Sequence, residues 1–275
     1  MTSDDVGPDP DSTAAILDDP RIQSDHLRLL VTDESSVLLI GVVHDHPASV
    51  YRVERLVGAI DPETVAVELP PLALPLFEQG TDGEMSAALG ANGADHAAID
   101  AHGPRFLAAL AGEIGARSPG RQTIRRIASN ALTVGKQALT CRLASVFGRE
   151  RFPTAVADGG IDLASEDLAD PASVAAHERR HLSRSFSVLR AFERPAADEI
   201  VDAARERTMA RALARIDETA VAVVGFEHLD GITTELEAVG ATSLPVDDSR
   251  LESLAERSAF SRWSLRPQGA NGVSE

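Results

Sequence analysis

Two short runs, VLLIGVVH (residues 37–44) and VAVVGFEH (residues 221–228), constrain the fold most. Each ends an apolar stretch on a glycine and places a histidine three positions later. Apolar runs of this length, bounded by turn residues, read as buried strands. A glycine at the strand end allows a tight turn or a close backbone approach. A histidine three residues on then stands near the start of the following helix. There an imidazole can reach inward, while free backbone N–H groups face any bound anion.

The rest of the chain repeats the alternation. HLRLLVT and SVLLIGV, separated by DESS, read as two strands joined by a short turn. PASVYRVERLVGAI follows as a helix with Val50, Val53, Leu56, Val57 and Ile60 on one face. TVAVEL is a β-branched strand, and helices are predicted over 71–79, 82–91 and 103–116, with a weak strand at HAAID. Long helical patterns cover 171–191 and 196–217. AVAVVG is then a strand, HLDGITTELEAVG a helix and TSLPV a last short strand. Strands alternating with helices imply right-handed crossovers and parallel pairing. The predicted fold is α/β, a central, mostly parallel sheet flanked by helices. Residues 25–262 form a single domain, about 104–195 of it a helical insertion or cap, between disordered tails at 1–24 and 263–275.

In open parallel sheets, ligands bind beyond the carboxyl ends of the strands. Those ends carry His44, Asp45 and His46, then Glu68, Asp100, Glu227 with His228, and finally Asp247 and Asp248. Histidines with nearby carboxylates suit a divalent-metal site, or a general base with an orienting partner. His44, Glu68 and His228 are the natural centre of either. Asp45 and His46 stay unassigned.

Charge limits the partners. The net charge is −17, which disfavours nucleic acid and anionic membranes over the bulk surface. Lys136 is the single lysine, and the acid-rich, lysine-poor composition resembles that of halophilic proteins. One cysteine, Cys141, excludes an intrachain disulfide and a cysteine-built zinc site. The acidic N-terminus lacks signal-peptide character and no apolar run is long enough for a membrane span, so a cytoplasmic protein is expected. One segment runs against the trend. From Arg117 to Arg151 eight basic residues face one acid, Glu150, with apolar residues at three- and four-residue intervals. It reads as an amphipathic helix, either solvated and paired with its own acidic neighbours or docking over an anionic ligand or partner.

Taken together, GVVHDHPASVYRVERLVGAIDPETVAVELPP resembles the opening of the TraB/PrgY (pheromone-shutdown) family. There a Gly-x-x-His element precedes a helix and a Pro-Asp/Glu-x-Val-Ala-x-Glu-Leu strand, and VAVVGFEHLDGI is similar to the family's second hallmark. DGEMSAAL resembles its Glu-Met helix, with Glu84 at the acidic position. RERTMARAL resembles its Glu-Arg-x-x-Met-Ala helix one residue out of register. That puts Arg207 at the arginine position unless Arg205 and Glu206 are aligned differently. The resemblance spans most of residues 37–240. The Asp-Arg pair common in the family appears here as Asp100–Ala101, so a role for that arginine is lost or relocated. The C-terminal membrane helices of many archaeal members have no counterpart.

Relatedness of that family to Tiki metal-dependent proteases, and more remotely to the erythromycin-esterase and ChaN group, implies a hydrolase of peptide or ester bonds. It implies His44, Glu68, Glu84, Arg207 and His228 as catalytic residues, and a divalent metal ion held by His44, Glu68 and His228. The substrate would be a small peptide or other small molecule. The alternative is a non-catalytic regulatory or binding protein that captures a small peptide or anion in the same pocket. A third reading rests on AAHERRHL, a literal H-E-x-x-H. His177 and His181 would hold zinc and Glu178 would act as base, although Arg179 and Arg180 between them favour a solvated, salt-bridged helix face.

Overall fold

The computed structural model describes residues 16–80, 83–90, 93–100, 103–148, 168–191 and 195–265. The turn-rich piece after residue 155 lies largely outside them, as do most of both predicted tails. Six strands form one sheet: β1 (Leu27–Val31), β2 (Ser36–Val42), β3 (Thr64–Val67), β4 (Asp95–Ala98), β5 (Thr219–Gly225) and β6 (Thr242–Leu244). Their order is β4-β3-β5-β2-β1-β6. The first four in that order run parallel, while β1 pairs antiparallel with β2 and with β6. The fold is α/β with a mostly parallel sheet. The DESS turn makes β1–β2 a hairpin, which is why the sheet is mixed.

The helices are α1 (Pro47–Ile60), α2 (Leu74–Phe77), α3 (Glu84–Leu89), α4 (Pro104–Arg117), α5 (Arg121–Phe147), α6 (Pro171–Ala191), α7 (Ala196–Leu213), α8 (Leu229–Glu237) and α9 (Asp248–Leu265). Alternate strand residues feed two cores. Leu38, Ile40, Val65, Val67, Val221 and Val223 pack under α1, α2, α3 and α9. Leu39, Ala66, Ala220, Ala222 and Val224 pack under α7 and α8. A smaller third cluster joins Phe106 and Leu110 of α4, Ile127 of α5 and Ile200 of α7.

Two boundaries differ from expectation. Ile16 and Ile22 are buried in the first core, so ordered chain begins before residue 25. Helix α9, which sequence patterning does not announce, reaches Leu265 and closes over α1 through Leu251, Leu254 and a hydrogen bond from Ser258 to the Asp61 carbonyl. No helix among the described residues is long and apolar enough to cross a membrane.

Candidate functional site

The parallel strands β4, β3, β5 and β2 deliver Asp100, Glu68, His228 and His44 to one rim, where sheet topology puts ligand sites. The turn from β2 into α1 separates the residues of HDH. Asp45 adopts φ 58, and His46 becomes the N-cap of α1, its Nδ1 accepting from the Ala48 N–H at 3.1 Å. This throws His44 outward onto α3. Its Nδ1 lies 2.6 Å from Glu84 Oε1, while Glu84 Oε2 accepts the Asp45 N–H at 3.0 Å. Gly83 lets α3 begin there. It has φ 100, and a side chain would strike Asp45 Oδ1 at 2.9 Å.

His228 repeats the arrangement. Its Nδ1 lies 3.0 Å from Glu206 Oε1, and Glu206 reaches it across Gly231 of α8. A Cβ at Gly231 would sit 2.1 Å from Glu206 Oε2, so a side chain there would displace that carboxylate from its present place. Both imidazoles therefore have a glutamate on Nδ1, which leaves Nε2 to face the rim. Around Gly225 the three groups meet. The position of a Cβ there is 3.8 Å from His44 Nε2, 3.6 Å from His228 Cδ2 and 3.5 Å from Glu68 Oε2.

Arg205 of α7 closes the site. Its Nη2 donates to Glu68 Oε1 at 2.5 Å and to Asp100 Oδ2 at 3.0 Å, and its Nη1 lies 3.2 Å from His228 Nε2. A guanidinium only donates, so neutral His228 accepts at Nε2 and carries its proton on Nδ1, toward Glu206. Glu68 is also fixed by the Gly225 N–H, which donates to Oε2 at 2.7 Å. Asp100, which lacks an adjacent arginine in sequence, thus finds one on another helix. A cavity of about 380 Å³ between α4, α5 and α7 adjoins this pair, walled by Phe106, Leu110, Val134 and Val201.

The electrostatics follow from these partners. The Glu84 hydrogen bond raises His44 to about 9 against its burial penalty. The His44 side chain is 61 % exposed, so solvent screens part of that interaction. Burial opposes the charge of Glu84, but the bond to His44 outweighs it and holds the carboxyl below its ordinary range. Burial likewise opposes charge on His228, and the Glu206 bond with the Glu68 charge raises it overall. For Arg205, burial is outweighed by Glu68 and Asp100, and its pKa rises further.

Four of the five residues nominated from sequence, His44, Glu68, Glu84 and His228, gather here. Arg207 does not. Its guanidinium binds Glu235 at 3.0 Å and Glu113 at 2.7 Å, away from the rim. Arg205 supplies the rim guanidinium, and Glu206 is a site residue that sequence reasoning did not single out. Asp247 and Asp248 lie at the opposite sheet edge, where Asp247 binds Ser249 and Arg250 and Asp248 accepts the Leu17 N–H.

A divalent ion on His44, Glu68 and His228 does not suit this arrangement. Glu68 Oε1 and His228 Nε2 both face the Arg205 guanidinium, so an added cation would meet a fixed positive charge at its own ligands. Among the described residues no group of three or more His, Cys, Asp or Glu has metal-holding geometry.

The H-E-x-x-H stretch is not a solvated face. Glu178 is fully buried and ion-paired with the equally buried Arg52 of α1, and it accepts the Ser49 hydroxyl at 2.6 Å. Arg52 also donates to the carbonyls of Gly41 at 3.0 Å and Arg21 at 2.9 Å. His177 Nδ1 lies 3.0 Å from His46 Nε2, with the rings stacked. Because His46 Nδ1 accepts from Ala48, its Nε2 carries the proton and donates to His177. The carboxylate that a zinc protease would use as base is thus committed to anchoring α6 on α1. His26 is also buried, its Nδ1 3.3 Å from the Gly41 carbonyl.

No protein-family model, curated protein or solved structure matches the chain.

Proposed function

We propose that the chain is a hydrolase acting on a peptide or ester bond at the rim formed by His44, Glu68, Arg205 and His228. The observation that carries this reading is the matched pair of histidine–glutamate dyads. His44 on Glu84 and His228 on Glu206 each have Nδ1 fixed and stand on either side of Gly225. An imidazole oriented through one nitrogen by a carboxylate is equipped for acid–base work at the other. The bond class rests on the resemblance to the TraB/PrgY family and its hydrolytic relatives.

In this reading the neutral form of His44, which grows as pH rises toward about 9, takes a proton from water at Nε2 as the water attacks the carbonyl carbon. The resulting imidazolium, stabilised by Glu84, returns that proton to the leaving oxygen or nitrogen. Arg205, held by Glu68 and Asp100, supplies a preorganised donor for the oxygen that becomes negative. His228 supports it and carries its own charge reserve through Glu206.

The test is hydrolysis of p-nitrophenyl esters and a mixed fluorogenic peptide set, with and without a chelator. Turnover that survives chelation and disappears in His44→Gln and His228→Gln is expected. Turnover lost on chelation would restore the metal-dependent mechanism in place of this one. A chain that turns over nothing, yet binds anionic peptides through the same residues, would be a binding protein. The cationic Arg205 beside His228, with a second histidine of raised pKa near Gly225, favours that second reading over any other non-enzymatic one.

A further inference from the structure

Helix α5 is the most anomalous surface of the molecule. It spans 27 residues with five basic and no acidic side chains, on a chain whose net charge is −17. Its inward face is made largely of small residues, among them the buried Ala138, Cys141 and Ala144. Apart from the buried Ile127, several of its larger apolar residues point the other way. Leu132 is 65 % exposed, Leu139 53 % and Val146 59 %, spaced seven residues apart, with Ile124 a further 42 % exposed. Seven residues are nearly two helical turns, so these side chains form one stripe along the axis.

The basic residues flank that stripe. Arg121, Arg125, Arg126, Lys136 and Arg142 are all exposed, and none makes an ion pair with a carboxylate among the described residues. Of the basic segment 117–151, Arg117 does pair with Glu113 and Glu199, whereas these five cations of α5 do not, and Arg149 and Arg151 lie outside the described residues. We propose that α5 is a peripheral docking surface for anionic lipid, lying parallel to the bilayer with Leu132, Leu139 and Val146 in the interface and its cations on lipid phosphates.

Two arguments select lipid over a second copy of the chain. Pairing α5 with α5 would bring the cations of one copy close to those of the other, because the helix carries no acidic side chain to offset them. At a lipid surface the stems of those side chains lie along the apolar boundary while the charged ends reach phosphate. Repulsion from the acidic body does not forbid the contact. Charges more than about 10 Å away are screened at ordinary ionic strength, whereas the cations of α5 would touch the headgroups.

The experiment is co-sedimentation of the full chain with vesicles of phosphatidylcholine alone and of phosphatidylcholine with phosphatidylglycerol. Binding at least about tenfold stronger to the anionic vesicles, and weakened by salt, is expected. The double variants Leu132→Glu/Leu139→Glu and Arg125→Glu/Arg126→Glu should each abolish it while circular dichroism stays unchanged, since all four side chains are exposed. Equal binding to both vesicle types, or binding that survives both variants, overturns the proposal. So does a concentration-dependent dimer that the leucine variant dissolves, which would assign α5 to a second copy instead.

Discussion

His44 and His46 are separated by one residue, yet the fold drives them in opposite directions. His44 leaves the strand on the solvent side, meets a buried carboxylate and is raised to about 9. His46 turns inward under α6, where burial pushes it down to about 4. Glu178 favours its charge, but His177, His181 and Arg52 oppose it. One ring is arranged to hold and release a proton at an accessible nitrogen. The other is arranged to stay neutral and to serve as a helix cap. The same contrast separates their carboxylates. Glu84 meets an exposed imidazole, whereas Glu178 is committed to a guanidinium that no solvent reaches. Residue type therefore says little here about role; the partner and its exposure decide it.

The largest effects should fall on the buried side of this comparison. Glu178→Gln leaves Arg52 charged and unpaired in the core, a change that costs about 3–5 kcal/mol in comparable buried pairs. Chemical denaturation would measure it. Replacing both partners, Arg52→Met with Glu178→Leu, should recover most of the loss. If the single variant were as stable as the parent, α6 would not be anchored as described.

On the rim side the effect should appear in turnover. His44→Gln is expected to lower hydrolysis by about 10²–10⁴-fold, the ordinary contribution of a general acid–base group. His177→Gln, an equally conspicuous histidine, should leave turnover almost unchanged. Reversal of these two results would move the active histidine from the rim to the H-E-x-x-H stretch.

The two pKa shifts give a stability profile with distinct limbs. Folded His44 keeps its proton above the ordinary value near 6.5, so its stabilisation is complete below pH 6.5 and is lost as pH rises through about 9. Folded His46 refuses the proton that the unfolded chain accepts, so stability falls as pH drops from 6.5 toward about 4. Melting temperature against pH should therefore lose its alkaline decline in His44→Gln. The acid decline should flatten in His46→Asn, where asparagine keeps a helix cap without a titrating ring. Solvent at His44 makes its limb the shallower of the two.

Much of this was legible beforehand. The strands announce themselves by β-branched runs, and parallel topology gathers their ends, which brings His44, Glu68 and His228 together. What was hidden depends on how helices rotate. Arg205, Glu206 and Arg207 are consecutive, and only the orientation of α7 decides that the first two face the rim. Buried residues of α7 include Ile200, Ala204, Thr208, Met209 and Leu213, which spread around the helix and leave no single stripe to read. Glu178 misled for another reason. Flanked by two arginines it looks solvated, and its true partner lies 126 residues away in sequence. A long-range ion pair leaves no local pattern, and α9, with few apolar residues to bury, leaves almost none.

Subtler variants probe that rotation directly. Gly231→Ala adds one methyl where Glu206 now sits, and the flexible carboxylate is the group that must yield. Loss of turnover on the order of tenfold is expected, as for removal of a group that orients a functional histidine, with little change in stability. The smallest effect belongs to Arg207→Ala. Its ion pairs with Glu113 and Glu235 are about a third exposed on the arginine side, so the loss should be at most about 1 kcal/mol. Turnover should not change, whereas Arg205→Ala should abolish it, because Arg205 alone of the two reaches Glu68, Asp100 and His228. Measuring both variants on the same ester substrate tests the assignment at single-residue resolution. If Arg207→Ala were the inactive variant, α7 would have to be turned by nearly half a revolution, and the rim would need to be rebuilt around it.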